Sequence, residues 1–208
     1  PPHSRTTKSM SDTHLTNTEF SSLGLTEPLI KGLNEANFLK CTPIQEQTLP
    51  ISLLGKDVAG QAQTGTGKTI AFLLATYHTL LTKAAADNKT GVRALILAPT
   101  RELAIQIAND AKIIGKHTDI KVGLAYGGTD YEKQRKTIEE GVDILIGTPG
   151  RTIDFFKQKV FNLRNVEVLV LDEADRMFDL GFINDIRYFL RKQHQQENLQ
   201  NQHPIKPR

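Results

Sequence analysis

Four runs of the chain, "RALILAPT" (Arg93 to Thr100), "KVGLAYGG" (Lys121 to Gly128), "DILIGTPG" (Asp143 to Gly150) and "VEVLVLDEAD" (Val166 to Asp175), are apolar at consecutive positions. A run with no polar face suits a strand covered on both sides in a parallel sheet. Between two of them, in 102–116, Leu103, Ile107, Ala111 and Ile114 recur three or four positions apart, as on one face of a helix. Strand and helix alternate, so the expected fold is α/β, with a mostly parallel central sheet flanked by helices on both faces.

Each run closes on small or polar residues: "APTRE", "YGG", "GTPGR" and "DEAD". Open α/β sheets bind ligands outside the carboxyl ends of their strands. The chemistry is therefore expected along one rim.

At 208 residues and 38% apolar, the chain suits one domain with a sizeable core. Residues 1–17 are rich in Ser, Thr, Pro and Lys without periodicity and read as a flexible arm, with Met10 as a possible start. The domain is expected over 18–191. From Lys192 the Gln- and Asn-rich stretch to Arg208, closing on two prolines, reads as a frayed tail.

Lys plus Arg number 26 against 23 Asp plus Glu, so a polyanionic partner is allowed without being demanded. The single Cys41 excludes an internal disulfide and has no second ligand at metal-binding spacing, which fits a reducing setting. No apolar run approaches the roughly 20 residues of a membrane span, and the N-terminus lacks a signal peptide's apolar core. A soluble, cytoplasmic protein without membrane association is expected.

The stretch "AQTGTGKT" comprises Ala62, Gln63, Thr64, Gly65, Thr66, Gly67, Lys68 and Thr69. Its glycines let backbone N–H groups turn onto an anion, and a helix starting near Lys68 adds its positive end. In a P-loop of this kind Lys68 reaches the β and γ phosphates and Thr69 a magnesium ion. The generic motif has Gly where Ala62 stands, and a Gly-rich turn with an exposed lysine is the plainer alternative.

In "VLVLDEAD" four apolar residues lead into Asp172 and Glu173 at a strand end. There Asp172 suits holding Mg²⁺ through water, and Glu173 suits orienting or deprotonating an attacking water. A carboxylate pair is also favoured at any solvated helix N-terminus. A phosphate loop about a hundred residues upstream favours the catalytic reading.

With "DEAD" at Asp172 to Asp175, the chain resembles the DEAD-box RNA helicases over about residues 20 to 190, with a RecA-like P-loop domain as the implied fold. "NFLKCTPIQ" (Asn37 to Gln45) is similar to the family's adenine-binding Q motif, with Phe20 upstream, although the family has Gly where Asn37 stands. A side-chain amide can accept from adenine N6 and donate to N7, so Gln45 implies ATP rather than GTP. Phe20 and Phe38 could stack on the base or be ordinary core residues.

"APTRELA", "YGG" and "TPGR" are similar to the family's RNA-contacting motifs. The resemblance puts Pro99, Thr100, Arg101, Gly128, Thr148, Pro149, Gly150 and Arg151 on the RNA backbone, where contacts carry no base code. The alternative is that Pro99 and Pro149 end strands and start helices while the arginines cap carboxylates. The resemblance further implies that Asp175 couples to a Ser-Ala-Thr motif and a second RecA-like domain, neither present up to Arg208.

The implied activity is ATP-dependent, Mg²⁺-dependent local unwinding of RNA duplexes in RNA degradation or processing. "GLAYGGTDYEKQ" and "DEADRMFDLGFINDIR" look most like the bacterial members associated with the RNA degradosome. An endoribonuclease of that assembly is then an implied partner, through the half not in this sequence. Arginine fingers from a second domain are worth roughly 10³ to 10⁵ in rate, so this chain alone is expected to bind nucleotide and turn over slowly. The rivals are a P-loop nucleotide kinase, which needs an Arg-rich lid after Asp175 that is not seen, and a binding module without turnover.

Calorimetric titration with Mg²⁺–ADP and Mg²⁺–GDP is expected to show selective ADP binding that Gln45→Ala abolishes. Equal affinity for the two nucleotides would refute the adenine assignment.

Overall fold

The computed structural model describes residues 25–36, 68–87 and 91–202. They fall into two compact units, one of 25–36, 68–79 and 113–117, the other of 80–87, 91–112 and 118–202. In chain order the elements are α1 (Glu27–Glu35), α2 (Lys68–Asp87), β1 (Ala94–Leu97), α3 (Arg101–Ile114), β2 (Val122–Ala125) and α4 (Tyr131–Glu140). Then come β3 (Ile144–Gly147), α5 (Pro149–Lys157), β4 (Val168–Leu171), α6 (Ala174–Asp179) and α7 (Ile183–Gln202).

All four apolar runs form strands, and they pair parallel in the order β2-β3-β1-β4. Central β1 and β3 are buried at every position, which is why their sequences are apolar on both faces. The outer strands differ from that expectation. β2 alternates between buried and half-buried residues and β4 is half-buried throughout, as strands with a neighbour on one side only among the described residues.

On one sheet face Leu95, Leu97 and Leu145 pack with Ile138 of α4, Phe155 of α5 and Phe189 of α7. Phe156 adds edge-on contacts to Tyr188 and Phe189, with ring centroids 6.0 and 5.9 Å away, which fasten α5 to α7. At the other end of the strands Arg93, 3% exposed, ties the sheet to Leu80, in the 80–87 part of α2 that belongs to the same unit. Its guanidinium donates to the Leu80 carbonyl (3.1 Å) and pairs with Glu167 (2.9 Å). Removing either partner would leave a charge buried without its counter-ion.

Helix α3 confirms the expected helical segment but corrects its buried face. Ala104, Ile107, Ala108, Ala111 and Ile114 are fully buried, whereas Leu103 is half-buried. Three of these five are alanines, which a search for large apolar residues overlooks. Helix α7 also runs on through Lys192 to Gln202, past the point where a tail was expected. Gln, Glu, Lys and Leu are all good helix formers, so a helix can outlast its apolar periodicity.

In the first unit α1 buries Leu29, Gly32 and Leu33. Gly32 lies on the Ile114 carbonyl, where a Cβ has no room. Glu35 accepts from His117 (2.7 Å) and lies 3.6 Å from Lys116; the His117 hydrogen bond is the main reason its carboxyl sits below the usual carboxylate range. Among the described residues no helix is long and apolar enough to cross a membrane.

Gly147 closes β3 where a Cβ would meet the Ala125 carbonyl and the Thr152 hydroxyl. Gly147→Ala is expected to cost about 1–3 kcal/mol by overpacking, read as a lower urea midpoint at unchanged slope. Gly150→Ala, with open space around its Cβ, should leave the midpoint unchanged or raise it.

Candidate functional site

The backbone ladder sets the geometry of the rim. Leu97 pairs with both Gly147 and Leu171, and Ala125 pairs with Gly147, so all four strands end at one level. One residue later the ladder still holds: Ala98 N–H donates to Gly147, Thr148 N–H to Ala125 and Asp172 N–H to Leu97, each at 2.9 Å. Of the expected site residues, those following β1, β2, β3 and β4 are thereby brought to one edge of the second unit.

After β1, Pro99 is buried and Thr100 caps α3. The Thr100 hydroxyl oxygen accepts from Leu103 N–H (3.2 Å), and its carbonyl accepts from Ala104 N–H (3.0 Å). Arg101 is exposed, with its guanidinium 5.0 Å over the Tyr126 ring. After β3, Thr148 is extended and Pro149 enters the first turn of α5, buried, where its missing N–H costs nothing. Gly150 is exposed and Arg151 half-buried. Pro149 does start a helix, whereas Pro99 stands one residue before the Thr100 cap, so that part of the structural alternative is seen for Pro149 alone. Among the described residues, however, neither arginine pairs with a carboxylate.

Aromatic rings and amides hold the arginines instead. Arg151 Nη1 donates to Gln134 Oε1 (3.0 Å) and reaches the Thr129 carbonyl at 3.4 Å. Its guanidinium lies 5.0 Å from the Tyr131 ring and 5.6 Å from Phe155. Burial, then a hydrogen bond with Asp154, raises the Tyr131 phenol above its ordinary value. Gln134 Oε1 also accepts from Tyr126 N–H (3.1 Å), and its Nε2 reaches the Thr129 carbonyl (3.4 Å). Gly128 takes a φ of +100°, which the turn between Tyr126 and Thr129 requires.

Gln134, Tyr131 and Phe155 were not among the residues expected from sequence. A signal existed: Tyr131, Gln134 and Ile138 share one face of an otherwise polar helix, and Gln134 and Ile138 are its buried residues.

After β4, Asp172 is fully buried. Glu173 beside it has φ 52° and ψ 49°, a left-handed conformation that costs a non-glycine residue about 1–3 kcal/mol. Its side chain is 17% exposed, and Arg176 Nη1 lies 3.5 Å from its carboxylate. Asp175 is exposed on α6. Among the described residues no group of three or more His, Cys, Asp and Glu could cage a metal.

In the first unit Lys68 and Thr69 are half-buried in the first turn of α2. Phe20, Phe38, Gln45 and the loop residues 62–67 lie outside the described residues, as does the expected arm, 1–17.

The profile of the DEAD/DEAH box helicases matches residues 42–203. The ATP-dependent RNA helicase RhlB of Pseudoalteromonas atlantica is 58% identical over 183 residues, which cover 88% of this chain and 43% of that protein. Its namesake in Pasteurella multocida is 61% identical over the same shares. Among solved structures, a DEAD box protein from the hyperthermophile Methanococcus jannaschii matches with a TM-score of 0.75 and 34% identity, over 84% of this chain and 46% of that one. The chain thus spans under half the length of these relatives.

Because Thr100 is bonded as a cap, Thr100→Ala should lower stability by about 1 kcal/mol, while Thr100→Ser should retain it. Chemical denaturation of the two variants side by side checks this.

Proposed function

We propose, from the premise that the chain belongs to the DEAD/DEAH box helicase family, that it is the ATP-binding part of an RNA-stimulated ATP hydrolase that opens short RNA duplexes locally. The observation that carries this reading is the pair after β4: a fully buried Asp172 followed by Glu173 in a strained left-handed backbone. Strain of that kind persists where the surroundings over-determine it, and it concentrates at reactive sites.

The roles follow from the chemistry of each group. Lys68 supplies a compact positive charge for the β and γ phosphates, and the 62–67 loop supplies backbone N–H groups. Asp172 and Thr69 each offer a hard oxygen, the donor type Mg²⁺ takes, and Mg²⁺ is commonly held by one or two protein oxygens plus phosphates and water. When bound, the ion neutralises phosphate oxygens. Glu173 orients the attacking water and accepts its proton. Gln45 reads adenine, with Phe20 and Phe38 against the base, and Asp175 couples the site to a second domain.

On the RNA side, Thr100, Arg101, Gly128, Thr148, Gly150 and Arg151 would meet the sugar-phosphate backbone, with Pro99 and Pro149 fixing the turns. Hydroxyl, guanidinium and backbone N–H groups at helix starts suit phosphates and disregard base identity. Such an activity would serve RNA degradation or processing in the cytoplasm. An endoribonuclease partner would be reached through a part of the protein beyond this chain.

In the full-length protein Glu173→Gln is expected to lower RNA-stimulated ATP hydrolysis at least about 10²-fold while ATP and RNA affinities stay within twofold. The 208-residue chain alone should hydrolyse ATP slowly and not unwind. Native turnover in the Gln variant, or phosphate transfer from ATP to a nucleoside monophosphate, would refute the assignment.

A further inference from the structure

We propose that Gln134 is a positioning residue for the RNA-facing rim, holding the 126–129 turn and the Arg151 guanidinium in one fixed arrangement. The inference rests on the reading of that rim as the RNA face.

Gln134 is 8% exposed, and its amide makes contacts in three directions. Oε1 takes both the Tyr126 N–H and Arg151 Nη1, and Nε2 reaches the Thr129 carbonyl, which Arg151 Nη1 also approaches. An amide is suited to this because it accepts twice on oxygen and donates on nitrogen. The groups it joins come from three places in the chain: the end of β2, the turn beyond it, and the first turn of α5.

Three of the expected RNA contacts, Arg101, Gly128 and Arg151, are thus tied to one another. Gly128 lies inside the turn that Gln134 spans. Arg151 stacks on Tyr131 while bonded to Gln134, and Arg101 stacks on Tyr126, whose N–H Gln134 binds. Losing the amide frees the turn and the guanidinium together. A phosphate backbone would then meet groups that must be ordered on binding, at an entropic cost. Nucleotide binding has no reason to change, since the hydrogen bonds of Gln134 run to Tyr126, Thr129 and Arg151, which belong to the RNA-facing rim.

The test is RNA-stimulated ATP hydrolysis by the full-length protein, with single-stranded polyuridylate as probe. Gln134→Met keeps the volume and removes every hydrogen bond. It should raise the half-saturating RNA concentration about tenfold, leaving the half-saturating ATP concentration and the rate at saturating RNA unchanged. Combined with Arg151→Ala it should add little, because coupled groups are not additive. Gln134→Glu keeps both acceptor bonds and should return to within about threefold of native. Should the Met variant fail to fold, Gln134→Asn, one methylene too short, should shift RNA dependence in the same direction.

A rise in half-saturating RNA for Arg151→Ala with none for Gln134→Met or Gln134→Asn would overturn the positioning role and leave the RNA-face reading standing. Losses that multiply in the double variant would overturn it as well. If Arg151→Ala and Thr148→Ala both leave RNA dependence native, the RNA-face reading fails and this inference with it.

Discussion

The parallel ladder is the constraint on which everything at the rim depends. Because Leu97, Gly147, Leu171 and Ala125 are register partners, the residue that leaves each strand does so at the same height. The opposite end is pinned too. The Asp143 carbonyl accepts from Arg93 and Ala94, its carboxylate accepts from Lys121 N–H at 2.7 Å, and the Lys121 carbonyl accepts from Asp143 and Ile144. A slip of one residue in any strand would exchange the side chains on its two faces and move its terminal motif off the rim. Core packing and site geometry are therefore one requirement.

What happens just past the strands is a second use of the same backbone. Helices α3 and α5 start within four residues of a strand end, and α6 starts three residues after β4. Each start is managed differently: a threonine cap at Thr100, a buried Pro149 in the first turn of α5, and a left-handed Glu173 before α6. The first two are inexpensive ways to begin a helix. The third is not, since glycine or asparagine would occupy that conformation at less cost. A glutamate there points to a demand on its side chain rather than on the turn.

This difference explains which parts of the molecule could be read from sequence. The strands were legible because β1 and β3 are buried on both faces and leave unbroken apolar text, and the rim followed from where that text stops. Helix α3 was legible in position, but its buried face leans on Ala104 and Ala108, which carry little apolar signal. Gln134 was not legible, because a buried glutamine looks like any surface glutamine until its partners, from 8 residues back to 17 residues on, are in place. Nor was the left-handed backbone of Glu173, since local sequence signals a positive φ through glycine or asparagine. The extension of α7 to Gln202 was missed for the opposite reason, as helix propensity continues where amphipathic periodicity has faded.

The two arginines do not cap carboxylates, as the structural alternative had it; aromatic rings and, for Arg151, a side-chain amide hold them instead. A guanidinium has a flat face and five N–H donors in its plane. Arg101 lies over the Tyr126 ring, and Arg151 over those of Tyr131 and Phe155, which limits where each guanidinium can sit. Arg151 directs Nη1 to Gln134 and Thr129, which settles the rotation within that plane. An arginine held in this way has already lost most of the side-chain entropy that binding a phosphate would otherwise cost. Packing Arg151 into the wall of the second unit is thus compatible with the phosphate contact proposed for it, and Gln134, Tyr131 and Phe155 hold it there.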